Sequence, residues 1–527
     1  MKCSKDKISI LHTAKSFEQV LRLATLLACA CILAACHKSG PTEPTSNQSL
    51  PALESIIPRP EFVQKHSGTF ILSENASICI NPGSIEITAI GEYLSEKLRP
   101  STGYQLNVVA VSGPPENGNI YITTVGGDPA LGEEGYHLTV ENNLVTLVAH
   151  RPAGLFRGIQ TIRQLLPPSI ENSTRQSGRW EIETCTITDR PRFEWRGMML
   201  DVARHFFTVE NVKRVIDLIA YYKINRLHLH LSDDQGWRIT INPWPNLATV
   251  GGRSAYGDDP GGFYTQADYM EIVGYAQSRY ITVVPEIDMP GHMGAALLSY
   301  PILGTSSGTL DLDKETTYKF LDDVIREISA ITPGLYFHVG GDEAYGIPLT
   351  RYTQFIDSIQ SIVHSYGKQM VGWEEITRGN IFCTSIAQHW NSMLAQNAVE
   401  RGAKVIMSPA SRTYMDMRYN FFTFPGQNWA GYIEVDDGYS WDPATELSGV
   451  TEKNILGVEA PLWTETIKTM SDIEFMTFPR LPGYAEIGWS SSEGRSFDEY
   501  KYRLGAHGPR LRAMGVNFYH SPLVPWQ

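Results

Sequence analysis

The sequence predicts an α/β protein, a (β/α)8 TIM barrel preceded by a small α+β domain. Eight short apolar runs recur beyond residue 190, at 198–202, 226–231, 281–285, 335–339, 369–372, 385–389, 404–408 and 455–460. Helical stretches separate several of these runs, at 209–222, 266–279, 314–331 and 351–366. Strands that alternate with helices in this way fit a parallel barrel with insertions. An open, doubly wound sheet is disfavoured because no Gly-rich phosphate loop follows the first strand.

The chain begins with a segment that indicates export. The first 22 residues carry five basic and two acidic side chains, and an uncharged run at 23–35 ends at Cys36. That run is too short to span a bilayer but suits the apolar part of a signal peptide. Leu33-Ala-Ala-Cys36 resembles a bacterial lipobox, in which Cys36 is lipidated; an ordinary secretory signal with an incidental Cys is the alternative. We therefore predict a lipoprotein signal peptide at 1–35 and a flexible, Pro- and Ser-rich tether at 36–60.

Residues 61–190 predict the small α+β domain. A strand at 119–125, a hairpin at 136–148 with its turn at Asn142-Asn143, and helical apolar spacing at 85–98 and 153–166 support this. The segment shows no cluster of chemically reactive residues, so we predict that it is non-catalytic and that residues 191–527 form the catalytic barrel.

Composition narrows the functional classes. The chain has 527 residues, 42% of them hydrophobic, and a formal net charge of −13. The apolar content excludes a disordered chain, and the acidic balance argues against a nucleic-acid partner. Seven Cys in so long a chain exclude a disulfide-stapled scaffold.

Polar and aromatic residues stand at the predicted carboxyl ends of nearly all strands, where barrel enzymes hold their chemistry. In chain order they are Asp201, Arg204, His205, Asp233, Asp234, Glu286, Asp288, His292, His338, Asp342, Glu343, Trp373, Glu374, Glu375, His389, Trp390, Tyr414, Asp416, Trp463 and Glu465. Carboxylates accept hydrogen bonds from hydroxyls, and indoles cover the apolar faces of sugars. This ring therefore predicts a site for a polyhydroxylated ligand.

Asp342-Glu343 is the sharpest pair in this ring. Adjacent carboxylates at a strand end point in different directions and can take different roles, and Gly340-Gly341 lets the backbone approach a ligand closely. Glycoside hydrolysis needs a carboxyl that donates a proton and a second group that stabilises the developing cation. An exposed Asp-Glu turn is the alternative reading.

Other chemistries have weaker support. His292, His338 and His389 are possible zinc ligands, but no His-x-His ends the first strand, so hydrogen-bonded support is the preferred role. A nucleophilic serine lacks its Gly-x-Ser-x-Gly turn. We predict no metal.

Four motifs in order resemble glycoside hydrolase family 20, the β-N-acetylhexosaminidases. They are Asp201-Val-Ala-Arg-His-Phe206, His228-Leu-His-Leu-Ser-Asp-Asp-Gln-Gly-Trp-Arg238, Pro285-Glu-Ile-Asp-Met-Pro-Gly-His292 and His338-Val-Gly-Gly-Asp-Glu343. The likeness runs from about Arg190 to the C-terminus, and the preceding domain is similar to the non-catalytic domain common in the family.

The resemblance implies an exo-acting, retaining enzyme that removes terminal β-linked GlcNAc or GalNAc. The 2-acetamido oxygen of the sugar attacks its own anomeric carbon, so no cofactor is implied. Glu343 would be the general acid and then the base, Asp342 would orient the acetamido N–H, and Tyr414 would hold the acetamido oxygen. A raised pKa of Glu343 is expected from an apolar, Trp-lined site and from the neighbouring Asp342.

The remaining site residues also follow from the resemblance. Trp373, Trp390, Trp463 and Trp429 would line the acetamido pocket; Arg204, Asp416 and Glu465 would bind hydroxyls; Asp288, His292 and His338 would give support, with Asp233 or Asp234 holding His292. Asp416 paired with Arg418 is the plain alternative for that carboxylate.

Three further expectations concern partners and location. The expected partners are glycans with a terminal β-N-acetylhexosamine, and a membrane reached through the lipid anchor alone. His37 after Cys36 is not Asp, which predicts the outer membrane. A relative acting on lacto-N-biose or 6-sulfated GlcNAc, and a non-catalytic glycan-binding lipoprotein, stay as alternatives; Glu465 disfavours the first and the intact Asp342-Glu343 pair disfavours the second.

Overall fold

A computed structural model describes residues 50–115 and 118–527, and it confirms the predicted fold class. An eight-stranded parallel barrel follows a domain built on a seven-stranded sheet. The predicted signal peptide and Cys36 lie outside the described residues. Within the described ranges, no helix has the length and apolar character needed to cross a bilayer.

The secondary-structure elements alternate as the sequence predicts. The strands are β1 (Phe62–Ile71), β2 (Ile78–Ile80), β3 (Val108–Ala110), β4 (Asn119–Thr123), β5 (Tyr136–Val140), β6 (Leu144–Ala149), β7 (Glu181–Asp189), β8 (Trp195–Asp201), β9 (Arg226–His230), β10 (Thr282–Glu286), β11 (Tyr336–His338), β12 (Gln369–Trp373), β13 (Ile386–His389), β14 (Lys404–Met407) and β15 (Ile455–Leu462). The helices are α1 (Ile85–Thr102), α2 (Pro152–Leu165), α3 (Val209–Tyr221), α4 (Asn246–Thr249), α5 (Gln266–Gln277), α6 (Gly294–Ser299), α7 (Glu315–Ala330), α8 (Leu349–Ser365), α9 (Gln396–Glu400), α10 (Ala410–Thr413), α11 (Val435–Tyr439), α12 (Pro443–Glu446), α13 (Met470–Thr477), α14 (Leu481–Trp489) and α15 (Phe497–Ala513).

The α+β domain has the sheet order β1-β7-β5-β6-β4-β2-β3, with α1 and α2 packed against it. Helix α1 begins where the Ser84 hydroxyl accepts a hydrogen bond from the backbone N–H of Ile87. It ends at Gly103, whose φ of 71° suits a residue without a side chain. The predicted hairpin is present as β5 and β6.

The barrel closes in the order β10-β11-β12-β13-β14-β15-β8-β9, with parallel pairing throughout. Strand β8 begins at Trp195, earlier than the apolar run predicts, because Trp195 and Arg196 pair with Gly457 and Val458 of β15. All eight carboxyl ends therefore meet at one mouth of the barrel.

The α+β domain is joined to the opposite, amino end of the barrel by buried charges. The Glu134 carboxylate accepts from Arg157 Nε at 2.9 Å and from Arg196 Nη2 at 2.7 Å. Burial opposes its charge, but Arg196 and Arg157 lower the pKa of Glu134 to about 2. A cavity of about 1180 Å³ also lies at this interface.

Residues 50–60 correct the predicted tether. Leu53, Ile56 and Ile57 are buried, and the backbone of Ile57 exchanges two hydrogen bonds with the Gln164 side-chain amide, at 2.9 and 2.7 Å. The Pro and Ser content of this stretch predicts a flexible linker, but its apolar side chains are buried in the hydrophobic core. Flexible-tether behaviour is therefore contradicted for residues 50–60.

Candidate active site

A cavity of about 410 Å³ opens at the carboxyl ends of the barrel strands. Its lining residues are Arg204, His292, Asp342, Glu343, Trp373, Trp390, Asn391, Tyr414, Asp416, Trp429, Trp463 and Glu465. Sequence reasoning named all of them except Asn391. The structure thus brings the predicted ring of residues together around one space.

The turn after β11 carries the acid pair and contains two glycines with left-handed backbone. Gly340 has φ 64° and Gly341 has φ 99°. A Cβ atom on Gly340 would lie 1.8 Å from Asp288 Oδ1, and the backbone N–H of Gly341 donates to that oxygen at 3.2 Å. The glycines were predicted to admit a ligand. Here they admit the buried Asp288 carboxylate, which fixes the turn that presents Asp342 and Glu343.

His292 lies between two groups of carboxylates. Its Nδ1 is 3.4 Å from Asp233 Oδ1 and 3.6 Å from Asp234 Oδ2. Its Nε2 is 3.7 Å from Asp342 Oδ2 and 3.5 Å from Glu343 Oε2. Burial opposes a charge here, but these carboxylates raise the pKa of His292 well above its ordinary value. Asp233 and Asp234, predicted as alternatives, therefore both face an imidazolium.

The acid pair does not titrate as the sequence suggested. The contact with the His292 imidazolium lowers the pKa of Glu343, because the Glu343 side chain is 37% exposed and burial is too weak to compensate. Burial instead raises the pKa of its neighbour Asp342 to about 6. Burial and the nearby Asp342 raise the pKa of Asp288 in the same direction. The upward shift predicted for Glu343 is therefore wrong, and it is found on Asp342 and Asp288 instead.

The aromatic walls are held by contacts with one another and by hydrogen bonds. Trp373 and Trp463 have ring centroids 5.7 Å apart, and Tyr414 meets Trp429 edge-on at 5.8 Å. The indole N–H of Trp373 donates to Glu286 at 3.0 Å, and that of Trp390 donates to Glu375 at 3.1 Å. Trp429 is 53% exposed, so it stands at the rim.

The hydroxyl-binding candidates Arg204, Asp416 and Glu465 line the same cavity. Arg204 forms an ion pair with Asp233 at 2.7 Å and lies 4.7 Å above the Trp463 ring. Asp416 is buried, and within the described part of the chain neither of its carboxylate oxygens has a hydrogen-bond partner; the same holds for Glu465 Oε2. Among the described residues Asp416 forms no ion pair with Arg418, so the alternative role of Asp416 as a partner of Arg418 is wrong. Both residues line the cavity, so each brings a carboxylate with unused hydrogen-bonding capacity to the site.

The supporting residue His338 is in the barrel interior. Its Nδ1 lies 3.0 Å from Glu286 Oε1 and 3.1 Å from the backbone N of Gly340. His228, Glu286 and His338 place nitrogen and oxygen atoms within 4.8 Å of one another, as metal ligands do. However, the two nitrogens of His228 already face Glu286 and Glu459, at 2.9 and 2.8 Å. Both nitrogens of His228 therefore already lie against carboxylates, Glu286 within this set and Glu459 outside it.

Sequence reasoning missed two kinds of residue. His228, His230 and Glu459 are buried charged groups inside strands, and His228-x-His230 on one face of β9 was the available signal. Asn391 was missed because its only signal is the adjacent Trp390; its backbone N–H donates to Glu374 at 3.1 Å.

Comparison with known proteins points to one family. The profile described as "Glycosyl hydrolase family 20, catalytic domain" matches residues 193–353 and 348–492, and "Glycosyl hydrolase family 20, domain 2" matches 54–190. A Beta-N-acetylhexosaminidase of Cellulomonas fimi is 35% identical over 489 residues, which is 90% of this chain and 97% of that protein. A Streptomyces plicatus N-acetyl-beta-hexosaminidase solved with Thio-NAglucal has a TM-score of 0.88 and 45% identity, covering 92% of this chain and 99% of that one. A mutant of the Streptomyces plicatus enzyme was solved with its product GlcNAc, at the same TM-score of 0.88.

Proposed function

The chain belongs to glycoside hydrolase family 20, and from this membership we propose how its cavity acts on a terminal β-linked GlcNAc or GalNAc. One observation carries the proposal. The Asp342-Glu343 pair, an indole-walled pocket and unpaired carboxylate oxygens surround a single cavity of about 410 Å³. The enzyme is an exo-acting β-N-acetylhexosaminidase, and the residue roles below are the proposal.

The acetamido group sits between Trp373, Trp390 and Trp463. Asp342 Oδ1 has no hydrogen-bond partner among the residues that the structure describes, and it accepts the acetamido N–H. Burial, followed by the charge of Asp342, raises the pKa of Tyr414 far above its ordinary value, so its hydroxyl stays protonated and donates to the acetamido oxygen. Asp342 and Tyr414 thus hold the acetamido group by its N–H and by its oxygen. The oriented oxygen attacks the anomeric carbon and gives an oxazolinium intermediate.

Glu343 protonates the leaving oxygen as the glycosidic bond breaks. The proton comes from the His292–Glu343 pair, whose nearest atoms are 3.5 Å apart. Glu343 then takes a proton from water, which opens the oxazolinium ring and releases the sugar with retained configuration.

The sugar hydroxyls meet Arg204, Asp416 and Glu465. Burial, followed by Glu465, raises the pKa of Asp416, and burial also raises the pKa of Glu465. Such surroundings disfavour any further anion. A 6-sulfated sugar would bring one, so this alternative is ranked below the neutral sugar.

A chromogenic β-GlcNAc glycoside tests the assignment. Wild type is expected to release the chromophore, and Glu343→Gln to lose most of that activity while folding normally. Glu400→Gln, a change on the remote helix α9, is the matched control and should behave as wild type. Absence of hydrolysis by wild type, or full activity in Glu343→Gln, contradicts the roles. The 6-sulfated glycoside, run in parallel, should be cleaved at least about tenfold more slowly.

We also propose that the mature protein is lipidated at Cys36 and held in the bacterial outer membrane. Support comes from the basic start of the chain, the apolar run at 23–35 and His37. Mass spectrometry of the mature N-terminus should find a diacylglyceryl group on Cys36. Cys36→Ser should move the enzyme from the membrane to the soluble fraction, and an unmodified N-terminus at any other residue contradicts the proposal.

A further inference from the structure

A chain of alternating acidic and basic side chains runs through the barrel interior to the cavity. In spatial order its members are Glu459, His228, Glu286, His230, Asp233 and His292. All are buried except His292, which lines the cavity. The first four belong to strands β15, β9 and β10, so the barrel itself holds them in place.

His230 is the best-defined link. Its Nδ1 lies 2.5 Å from Glu286 Oε2, and its Nε2 lies 2.8 Å from Asp233 Oδ2. Ionised carboxylates only accept hydrogen bonds, and a neutral imidazole has a single N–H, so His230 must carry both protons. Arg204 Nη1 lies 3.3 Å from His230 Nε2, which brings two positive charges close together. The Asp233 carboxylate contacts both cations and offsets their repulsion.

Glu286 is the junction of the chain. Four ring nitrogens face its carboxylate: His230 Nδ1 at 2.5 Å, His228 Nε2 at 2.9 Å, His338 Nδ1 at 3.0 Å and Trp373 Nε1 at 3.0 Å. The Trp373 contact fixes a wall of the substrate cavity. The His230 contact leads through Asp233 to His292, which faces Glu343.

We propose that Glu286 is a positioning residue for the hydrolytic reaction, an inference that rests on the roles proposed for Glu343 and Trp373. One buried carboxylate sets the indole against which the acetamido group packs. Through His230 it also fixes Asp233, and thereby the imidazolium that supplies the proton of Glu343. One residue in the core of the barrel thus positions the groups that serve both parts of the reaction, closure of the oxazolinium ring and protonation of the leaving group.

Glu286→Gln tests this because the amide keeps the side-chain shape but replaces one acceptor oxygen with a donor. Two β-GlcNAc glycosides are compared, one with a 2,4-dinitrophenol leaving group and one with a sugar leaving group. Dinitrophenolate departs without a proton, whereas a sugar alcohol needs one from the general acid. We expect kcat/KM to fall at least tenfold further for the sugar leaving group. A purely structural role lowers both rates by the same factor, since it changes only the folded fraction.

Two further variants keep the test decisive. Glu486→Gln alters another fully buried carboxylate, which lies on α14 and is held by Arg503 at 2.6 Å, far from the chain; it should leave the ratio of the two rates unchanged. Glu459→Gln alters the chain one step beyond His228 and should shift the ratio in the same direction, by less. If Glu286→Gln does not fold, the Glu459→Gln ratio decides. An unchanged ratio in the folded variants overturns the proposal, whereas inactivity of wild type on both glycosides would refute the proposed function instead.

Discussion

Replacing His292 with glutamine removes the imidazolium that faces Glu343 at 3.5 Å. In wild type the pair keeps one proton across neutral pH, because the carboxylates around His292 raise its pKa while the same contact lowers the pKa of Glu343. Coupled groups of this kind titrate as a pair. In His292→Gln the proton must reside on Glu343 alone.

The size of the effect follows from the two protonation states. A charge pair at about 4 Å is worth about 4 kcal/mol near a protein surface, or about three pKa units, so several carboxylates keep the wild-type proton well past pH 7. An ordinary glutamic acid, with a pKa of about 4.3, is protonated in about one molecule in 500 at pH 7 and one in six at pH 5. Relative to its own acidic plateau, the variant should therefore lose activity by a factor of hundreds at pH 7 but much less at pH 5.

The assay is kcat/KM from pH 4 to 9 on a glycoside with a sugar leaving group. We expect the alkaline limb of the profile to move to lower pH in His292→Gln, by at least two units. His364→Gln, a change on the outer helix α8, should leave the profile in place. An alkaline limb that stays at the wild-type pH, or moves upward, would refute the reasoning.

Three other outcomes follow from the structure. Gly340→Ala forces a left-handed backbone costing about 1–2 kcal/mol and drives a Cβ into Asp288, so the melting temperature and kcat should both fall; an unchanged melting temperature contradicts this. Burial lowers the pKa of His507 to about 3, so this group is protonated in the unfolded chain but not the folded one between pH 6.5 and 3. As the pH is lowered through this range, the free energy of unfolding should fall by up to about 1.4 kcal/mol per pH unit. Denaturant titrations of His507→Gln should lack this contribution. Trp373→Phe removes the indole N–H from Glu286, and kcat/KM on the chromogenic glycoside should fall about tenfold or more; an equal rate argues against an anchored wall.

Much of the fold was predictable, because short apolar runs that alternate along the chain with helical stretches indicate a parallel barrel. The strand ends then placed most of the cavity lining, since carboxyl ends of a barrel converge whatever the details of the loops. Trp390, Tyr414 and Glu465 are far apart in sequence and share one cavity for this reason.

The electrostatics of the site were not predictable in the same way. The sign of the Glu343 shift depends on whether His292 or burial dominates, and a sequence gives neither distances nor exposure. Gly340 posed a similar problem, because its neighbour Asp288 comes from a different strand. The packing of residues 50–60 was hidden by linker-like composition, since only the fold reveals a cleft for Ile56 and Ile57.

That N-terminal packing decides where the chain can be shortened. Ser55 O accepts from His507 Nε2 at 2.9 Å, Ile56 O accepts from Arg503 at 3.1 Å, and the backbone N–H of Arg59 donates to Glu486 at 2.8 Å. A recombinant protein starting at residue 61, the first residue of the domain as predicted from sequence, would lose these three hydrogen bonds to α14 and α15 and expose the apolar side chains that Leu53, Ile56 and Ile57 cover. A fragment for crystals or assays should therefore keep the short 3-10 turn at Ala52–Glu54 and the residues that follow it.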